Sequence, residues 1–283
     1  MLSLPDPTSI RKVADWVELC LSTETPRFSK AQLNSAIDLF SGTEPSETFL
    51  SDVWRELKYR EHLYRYPVFA VRERSIERRE GIEISKEYLA FLILSLYGVR
   101  GTTRDPGKLF ERITNRAIKK YLSGNSLVFG WPGVVTEGEA NESQIKRKIK
   151  QVADELGERF VEAPPARFND RGVDVIGWIP FFGGRSSQIV LLVQCYAGQD
   201  LRGKVAVPLD SWYQYIHWGF NPIRGFAVPA IIPERDWHEM ATDMGLLFDR
   251  PRILNALSAD TYDAELAAEV TAWVGEQLSE LQE

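Results

Sequence analysis

Cysteine, histidine and excess positive charge are all scarce in this chain, and each shortage closes off a class of function. The two cysteines, Cys20 and Cys195, lie far apart in the sequence. That count excludes a disulfide scaffold and a cysteine-built zinc site. The three histidines, His62, His217 and His238, are scattered and lack HExxH spacing, so no structural metal site is expected. The formal net charge is −6. A nucleic-acid binder of this composition must therefore gather its basic residues on one face. Long apolar runs are missing too. The longest, YLAFLILSLYGV around residue 93, is too short to span a bilayer and reads as a buried helix. The opening MLSLPDPTSI has two prolines and no apolar run, so it does not read as a signal peptide, and a soluble cytoplasmic protein is the expectation.

What is present is ordinary globular material, 44% hydrophobic and 26% charged over 283 residues, enough for one large domain or two small ones. Residues 9–22 place Ile10, Val13, Trp16, Val17 and Cys20 at helical spacing after Ser9. Further helices are predicted at SKAQLNSAIDLF, over residues 50–65, and at SKEYLAFLILSLYG, which ends at Gly98. YPVFAVRERSIERRE alternates like a strand or hairpin edge. Residues 1–100 thus read as a mainly helical module with little evident chemistry. The Gly/Pro-rich GVRGTTRDPGK, residues 98–108, marks the boundary, and residues 101–283 form an α/β domain ending in two helices. Within that domain KLFERITNRAIKKYL and ESQIKRKIKQVADELG are amphipathic helices. GVDVIGWIPF, a GGRSS turn, QIVLLVQCYAG and later GFAVPAIIP give the strand pattern.

Two polar residues interrupt those strands. Asp174 sits in GVDVIGW, and Gln194 follows five apolar residues in IVLLVQCYAG. The intervening turn makes the strands hairpin neighbours, so Asp174 and Gln194 fall side by side. Upstream, Glu111 lies in KLFERI, on a helix entering the sheet. An Asp on one strand, with a Glu or Gln and a Lys two residues apart on the next, suits magnesium chemistry. Hard oxygens hold the ion, and period-two alternation puts the cation on the same face as its neighbour.

These segments resemble the PD-(D/E)xK nucleases, in particular the Mrr-like restriction endonuclease core. GVDVIGW followed by VQCYAGQDLRGK is similar to that family's Asp strand and Gln-x-Lys strand, and LFERI to its first-helix Phe-Glu motif. The likeness covers roughly residues 105–218. It implies a restriction-endonuclease-like mixed sheet flanked by helices, and magnesium-dependent hydrolysis of DNA in bacterial restriction or anti-phage defence, with protein partners in a multi-gene system. It implies that Asp174, the Gln194 side-chain carbonyl and the Cys195 backbone carbonyl ligate Mg2+, with Glu111 adding a carboxylate. One position departs: Tyr196 stands where the family has its lysine. A tyrosine with pKa near 10 carries no charge at neutral pH. Lys204 in GQDLRGK is the nearest replacement and Arg202 a second.

The same departure supports a rival, a catalytically silent relative that binds DNA or docks a partner enzyme. A metal-independent hydrolase on another α/β fold is a third reading, because fold analogy is a weak warrant for function. Other signals carry less. GTTRDPGKL imitates a phosphate-binding loop, but five residues separate Gly101 from Gly107, and Leu109 occupies the magnesium-binding Ser/Thr position. The cations of QIKRKIKQ (Lys146, Arg147, Lys148, Lys150) fit a solvated helix face better than a phosphate contact. Trp212, Tyr213, Tyr215, His217 and Trp218 fit helix-to-sheet packing better than base stacking.

Overall fold

A computed structural model describes residues 2–98, 105–129, 140–161, 172–198, 201, 204–257 and 263–282, with residues 140–145 described for their helical backbone only. In chain order the elements are α1 (Ile10–Thr23), β1 (Arg27–Ser29), α2 (Lys30–Ser41), α3 (Glu47–Leu63), β2 (Phe69–Val71), β3 (Ser75–Arg78) and α4 (Lys86–Tyr97). There follow α5 (Pro106–Leu122), β4 (Asn125–Val128), α6 (Ala140–Leu156), β5 (Arg159–Phe160), β6 (Val175–Ile179), β7 (Ile189–Cys195), α7 (Leu209–Tyr213) and β8 (Ile216–His217). The last are β9 (Ile223–Ala227), α8 (Glu234–Met244), β10 (Leu246–Phe248), α9 (Arg250–Leu257) and α10 (Ala264–Glu280). The chain divides into two compact units. One comprises Met1–Pro106, Ala197–Gln199 and Arg250–Glu283; the other comprises Gly107–Tyr196 and Asp200–Asp249.

The first unit is less purely helical than the sequence suggests. Its strands form an antiparallel sheet in the order β1-β3-β2, with Phe28 opposite Ile76 and Val71 opposite Ile76 on the other side. Helix, strand, helix, helix, strand, strand, with the last strand central, is the connectivity of a winged helix-turn-helix. The turn between α2 and α3 begins at Gly42, whose left-handed backbone (φ 70°) caps α2 without a Cβ clash. Ser29, Ser46 and Ser85 accept backbone N–H bonds at the starts of α2, α3 and α4. Apolar all round, α4 is buried along nearly its whole length and packs on α1, α9 and α10. The two C-terminal helices expected with the α/β part therefore pack with residues 1–98 instead, because α4 is apolar over most of its surface and needs cover on several sides.

The second unit is mixed α/β, with helices on both faces of a five-stranded sheet in the order β10-β9-β7-β6-β4. β10, β9 and β7 run parallel, while β6 is antiparallel to both β7 and β4. The GGRSS hairpin is formed as expected, with Val175 opposite Val193 and Ile179 opposite Ile189. Alternation sorts the sheet into two faces. Ile176, Trp178, Val190 and Leu192 pack on α6 and on Trp212, Tyr215 and Trp218, so those aromatics are core. On the opposite face, the side chains of Ile118 and Leu122 from α5 occupy the space above Gly177, where any Cβ would clash.

Candidate active site

The β6–β7 ladder ends in a polar arrangement. Beyond the Val175–Val193 pair, the Asp174 N–H donates to the Val193 carbonyl at 2.9 Å. The Asp174 carboxylate then reaches across, its Oδ2 accepting the Cys195 N–H at 2.7 Å. Asp174 is thus half-buried and fixed to the neighbouring strand by its own side chain. The sequence expectation that these two strands adjoin is met in the hydrogen bonding.

Glu111 joins from α5. It is 8% exposed, and both of its oxygens lie 2.9 Å from Lys108 Nζ, one helical turn earlier. The packing of α5 aims these residues at the end of β7. Its later residues Ile118 and Leu122 sit over Gly177, and Glu111 and Lys108, about two turns earlier, act electrostatically on the Cys195 thiol. Burial holds that thiol well above its ordinary value. The negative charges of Asp174 and Glu111 add to the rise, and Thr114 and the Lys108 ammonium oppose it. Asp174, Glu111, Lys108 and the Cys195 side chain therefore share one electrostatic neighbourhood.

Gln194 and Lys204 stand differently. Period-two alternation puts Gln194 on the face of Val190 and Leu192, and Cys195 on the face of Leu191 and Val193. Gln194 Nε2 abuts Gly172, where a Cβ would come within 2.7 Å. Its Oε1 is buried and has no hydrogen-bond partner. Gly172 has φ 75°, so the position favours glycine twice over, by conformation and by space. Tyr196 lies on the Gln194 side, stacked on Phe226 with centroids 6.4 Å apart, against the cluster that includes Trp237 and Met240 of α8. Lys204 returns over this tyrosine, its Nζ 3.7 Å from the ring centroid. Arg202 and residues 101–104 of the GTTRDPGKL segment lie outside the described residues. Gly107 and Lys108 of that segment form part of the first turn of α5 rather than a loop.

Two carboxylates, from Asp174 and Glu111, have the right chemistry for magnesium; the orphaned Gln194 Oε1 is a hard oxygen as well, but alternation puts it on the side of β7 away from Glu111. Among the described residues no three His, Cys, Asp or Glu side chains gather closely enough to cage an ion. Magnesium does not need such a cage, since one or two carboxylates with waters and substrate phosphates suffice. Sequence reasoning missed Lys108. Its signal was its spacing, three residues before Glu111 on a helix, which only the orientation of α5 distinguishes from a surface ion pair.

No protein-family model matches this chain, and no curated protein matches it. Among solved structures, the chain is similar to the MspJI restriction endonuclease in complex with a 27-mer oligonucleotide. That match has 13% identity and a TM-score of 0.22, covering 72% of this chain and 40% of that one. It is also similar to restriction endonuclease FokI bound to DNA, at 7% identity and a TM-score of 0.20, covering 92% of this chain and 47% of that one. A further structure of restriction endonuclease FokI matches at 9% identity and a TM-score of 0.19, covering 91% of this chain and 46% of that one. The chain spans less than half the length of each of these neighbours. Weakly similar in structure to restriction endonucleases, it is a mixed α/β protein with Asp174 bonded across the end of two adjacent strands.

Proposed function

We propose that this protein hydrolyses phosphodiester bonds in DNA with magnesium, in the restriction or anti-phage setting that its sequence resemblance implies. The observation that carries the reading is the Asp174 carboxylate bonded across to Cys195 of the adjacent strand, with Glu111 of α5 in the same electrostatic neighbourhood. Asp174, Glu111 and the Cys195 backbone carbonyl would hold the ion, with the Gln194 amide oxygen as the further donor implied by the resemblance. A bound magnesium ion supplies Lewis acidity and a more acidic water. The oxygen of a water forms the new bond to phosphorus and the ester P–O bond breaks. The water's proton leaves to solvent, and the departing oxygen takes one from solvent. The test is incubation of the full chain with supercoiled, linear and single-stranded DNA in magnesium and in EDTA. Magnesium-dependent cleavage that disappears in Asp174→Asn supports the reading; intact DNA under every condition overturns it.

A second reading has its own observation. Tyr196 fills the lysine position and is packed between Phe226 and Lys204, which suits a protein that has kept the fold for binding. The winged connectivity of the first unit supports DNA as the partner, since such modules present their second turn helix to a groove. Along α3 the exposed residues are Glu47, Thr48, Ser51, Arg55, Lys58 and His62, polar throughout and basic towards its C-terminal half. Retarded but uncut DNA in a gel-shift assay, lost on Arg55→Ala with Lys58→Ala, would favour this reading.

A further inference from the structure

Two lysines compete for the role that Tyr196 leaves open, and they stand on different sides of β7. Lys204 is seated on the Tyr196 ring at 3.7 Å, among Phe226 and residues of α8. Cys195, the nearest neighbour of Tyr196, faces the other way, towards α5. It is on that other side that Glu111 lies buried, with Lys108 Nζ 2.9 Å from each of its oxygens. The pair is not an ordinary surface contact. The Glu111 side chain is 10% exposed and that of Lys108 39%, so a half-exposed ammonium reaches inward onto a buried carboxylate. Lys108 also occupies the first turn of a 17-residue helix, the end whose dipole favours an approaching anion.

We propose that Lys108 is the catalytic cation of this site, an inference that rests on the nuclease reading above. Without a divalent ion its ammonium neutralises Glu111. Were Glu111 to hold an ion, the Lys108 ammonium would face the scissile phosphate and the attacking water. Its task there is electrostatic. It stabilises the charge growing on the phosphoryl oxygens and transfers no proton, so the balance of the hydrolysis is unchanged. A cation delivered from a helix makes the strand lysine dispensable, which accounts for a tyrosine at position 196.

The test pairs cleavage with magnesium affinity measured by calorimetry on the full chain without DNA. Lys108→Ala removes the internal counter-charge of Glu111. Magnesium should then bind severalfold tighter while cleavage falls on the order of a hundredfold or more. A merely structural ion pair would not move the two readings in opposite directions. Lys108→Met keeps the stem and removes the charge, so the same two readings decide if Lys108→Ala loses its fold. Wild-type cleavage that is matched by both Lys108 variants overturns the inference and leaves the nuclease reading standing. So does cleavage lost together with unchanged or weaker magnesium binding. Wild-type protein that cuts no DNA overturns both.

Discussion

Each unit of this protein gathers charged side chains into one cluster, and the two clusters are built on opposite terms. In the first unit, Arg60 donates to Asp15 at 2.5 Å, Glu18 at 2.7 Å and Glu56 at 2.6 Å. Arg250 donates to Asp15 at 2.8 Å and to the Tyr64 hydroxyl at 2.8 Å, while Tyr88 donates to Glu18. Asp15, Glu18, Arg60 and Arg250 are all buried, and guanidinium forks meet carboxylates from several directions. In the second unit, a half-exposed lysine faces Glu111, Asp174 spends one oxygen on a backbone N–H, and Gln194 Oε1 is left without a partner. The first cluster is nearly closed: among the described residues, Arg250 Nη1 is its buried atom without a hydrogen-bond partner. The second holds, among the described residues, a buried amide oxygen with no hydrogen-bond partner, that of Gln194. A closed network rigidifies and holds parts together, whereas an open one is available to a ligand.

The largest expected effect breaks the open cluster alone. Asp174→Asn retains an oxygen that can accept the Cys195 N–H but removes the negative charge. Magnesium-dependent cleavage should drop to background, while the thermal midpoint moves by no more than a few degrees. Unfolding of Asp174→Asn at room temperature would show that this carboxylate is structural, and the contrast between the clusters would be lost.

The reverse experiment breaks the closed cluster. Arg250→Ala leaves two buried carboxylates, Asp15 and Glu18, facing the single guanidinium of Arg60, and removing one partner of a buried ion pair costs about 3–5 kcal/mol. A denaturation series should read that loss. A shift below about 1 kcal/mol, the value of an exposed pair, would mean that water reaches the network.

Acidity sharpens the same contrast. Burial pushes the Asp15 carboxyl up, but the Arg250 and Arg60 guanidiniums and the Ser95 hydroxyl outweigh it and hold Asp15 well below the usual carboxylate range. A depressed folded value means that its stabilisation is fully present above about pH 3.9, the unfolded value, and is lost as pH falls through the folded one. Stability of the wild type should therefore decline more steeply below pH 4 than that of Asp15→Asn. Parallel declines would remove Asp15 from the account.

How much of this could be read from the sequence depends on the distance along the chain. The β6–β7 hairpin was legible, because a short turn and alternation fix it locally, and Asp174 stood out as a polar residue in an apolar run. Glu111 was legible only by resemblance. Its grouping with Lys108 and Cys195 depends on how α5 lies over Gly177, which no local pattern records. Arg250 meets Asp15 across 235 residues, and nothing near either residue announces the other. The three-residue strands β1, β2 and β10 are too short for periodicity to register, so the winged connectivity stayed hidden behind its helices. The stretch 225–233 read as one strand, whereas β9 ends at Ala227, just before Val228 and Pro229.

The smallest expected effect decides between the two lysines. Lys204 lies over the Tyr196 ring, and a cation–π contact of this kind is worth about 0.5–1 kcal/mol at a partly exposed site. Lys204→Met keeps the stem against Tyr196 and removes only the charge. If Lys108 carries the chemistry, that variant should cut within about threefold of wild type, since 0.5–1 kcal/mol of local packing reaches the reacting centre only in part. Tyr196→Lys in the same background adds a charge on the Gln194 side of β7, away from Glu111, and should restore nothing to Lys108→Ala. A hundredfold loss in Lys204→Met, together with rescue by Tyr196→Lys, would move the cation to the Lys204 side of the strand. Gln194 would then become the residue that orients it, and Lys108 would be left as the counter-ion of a buried glutamate.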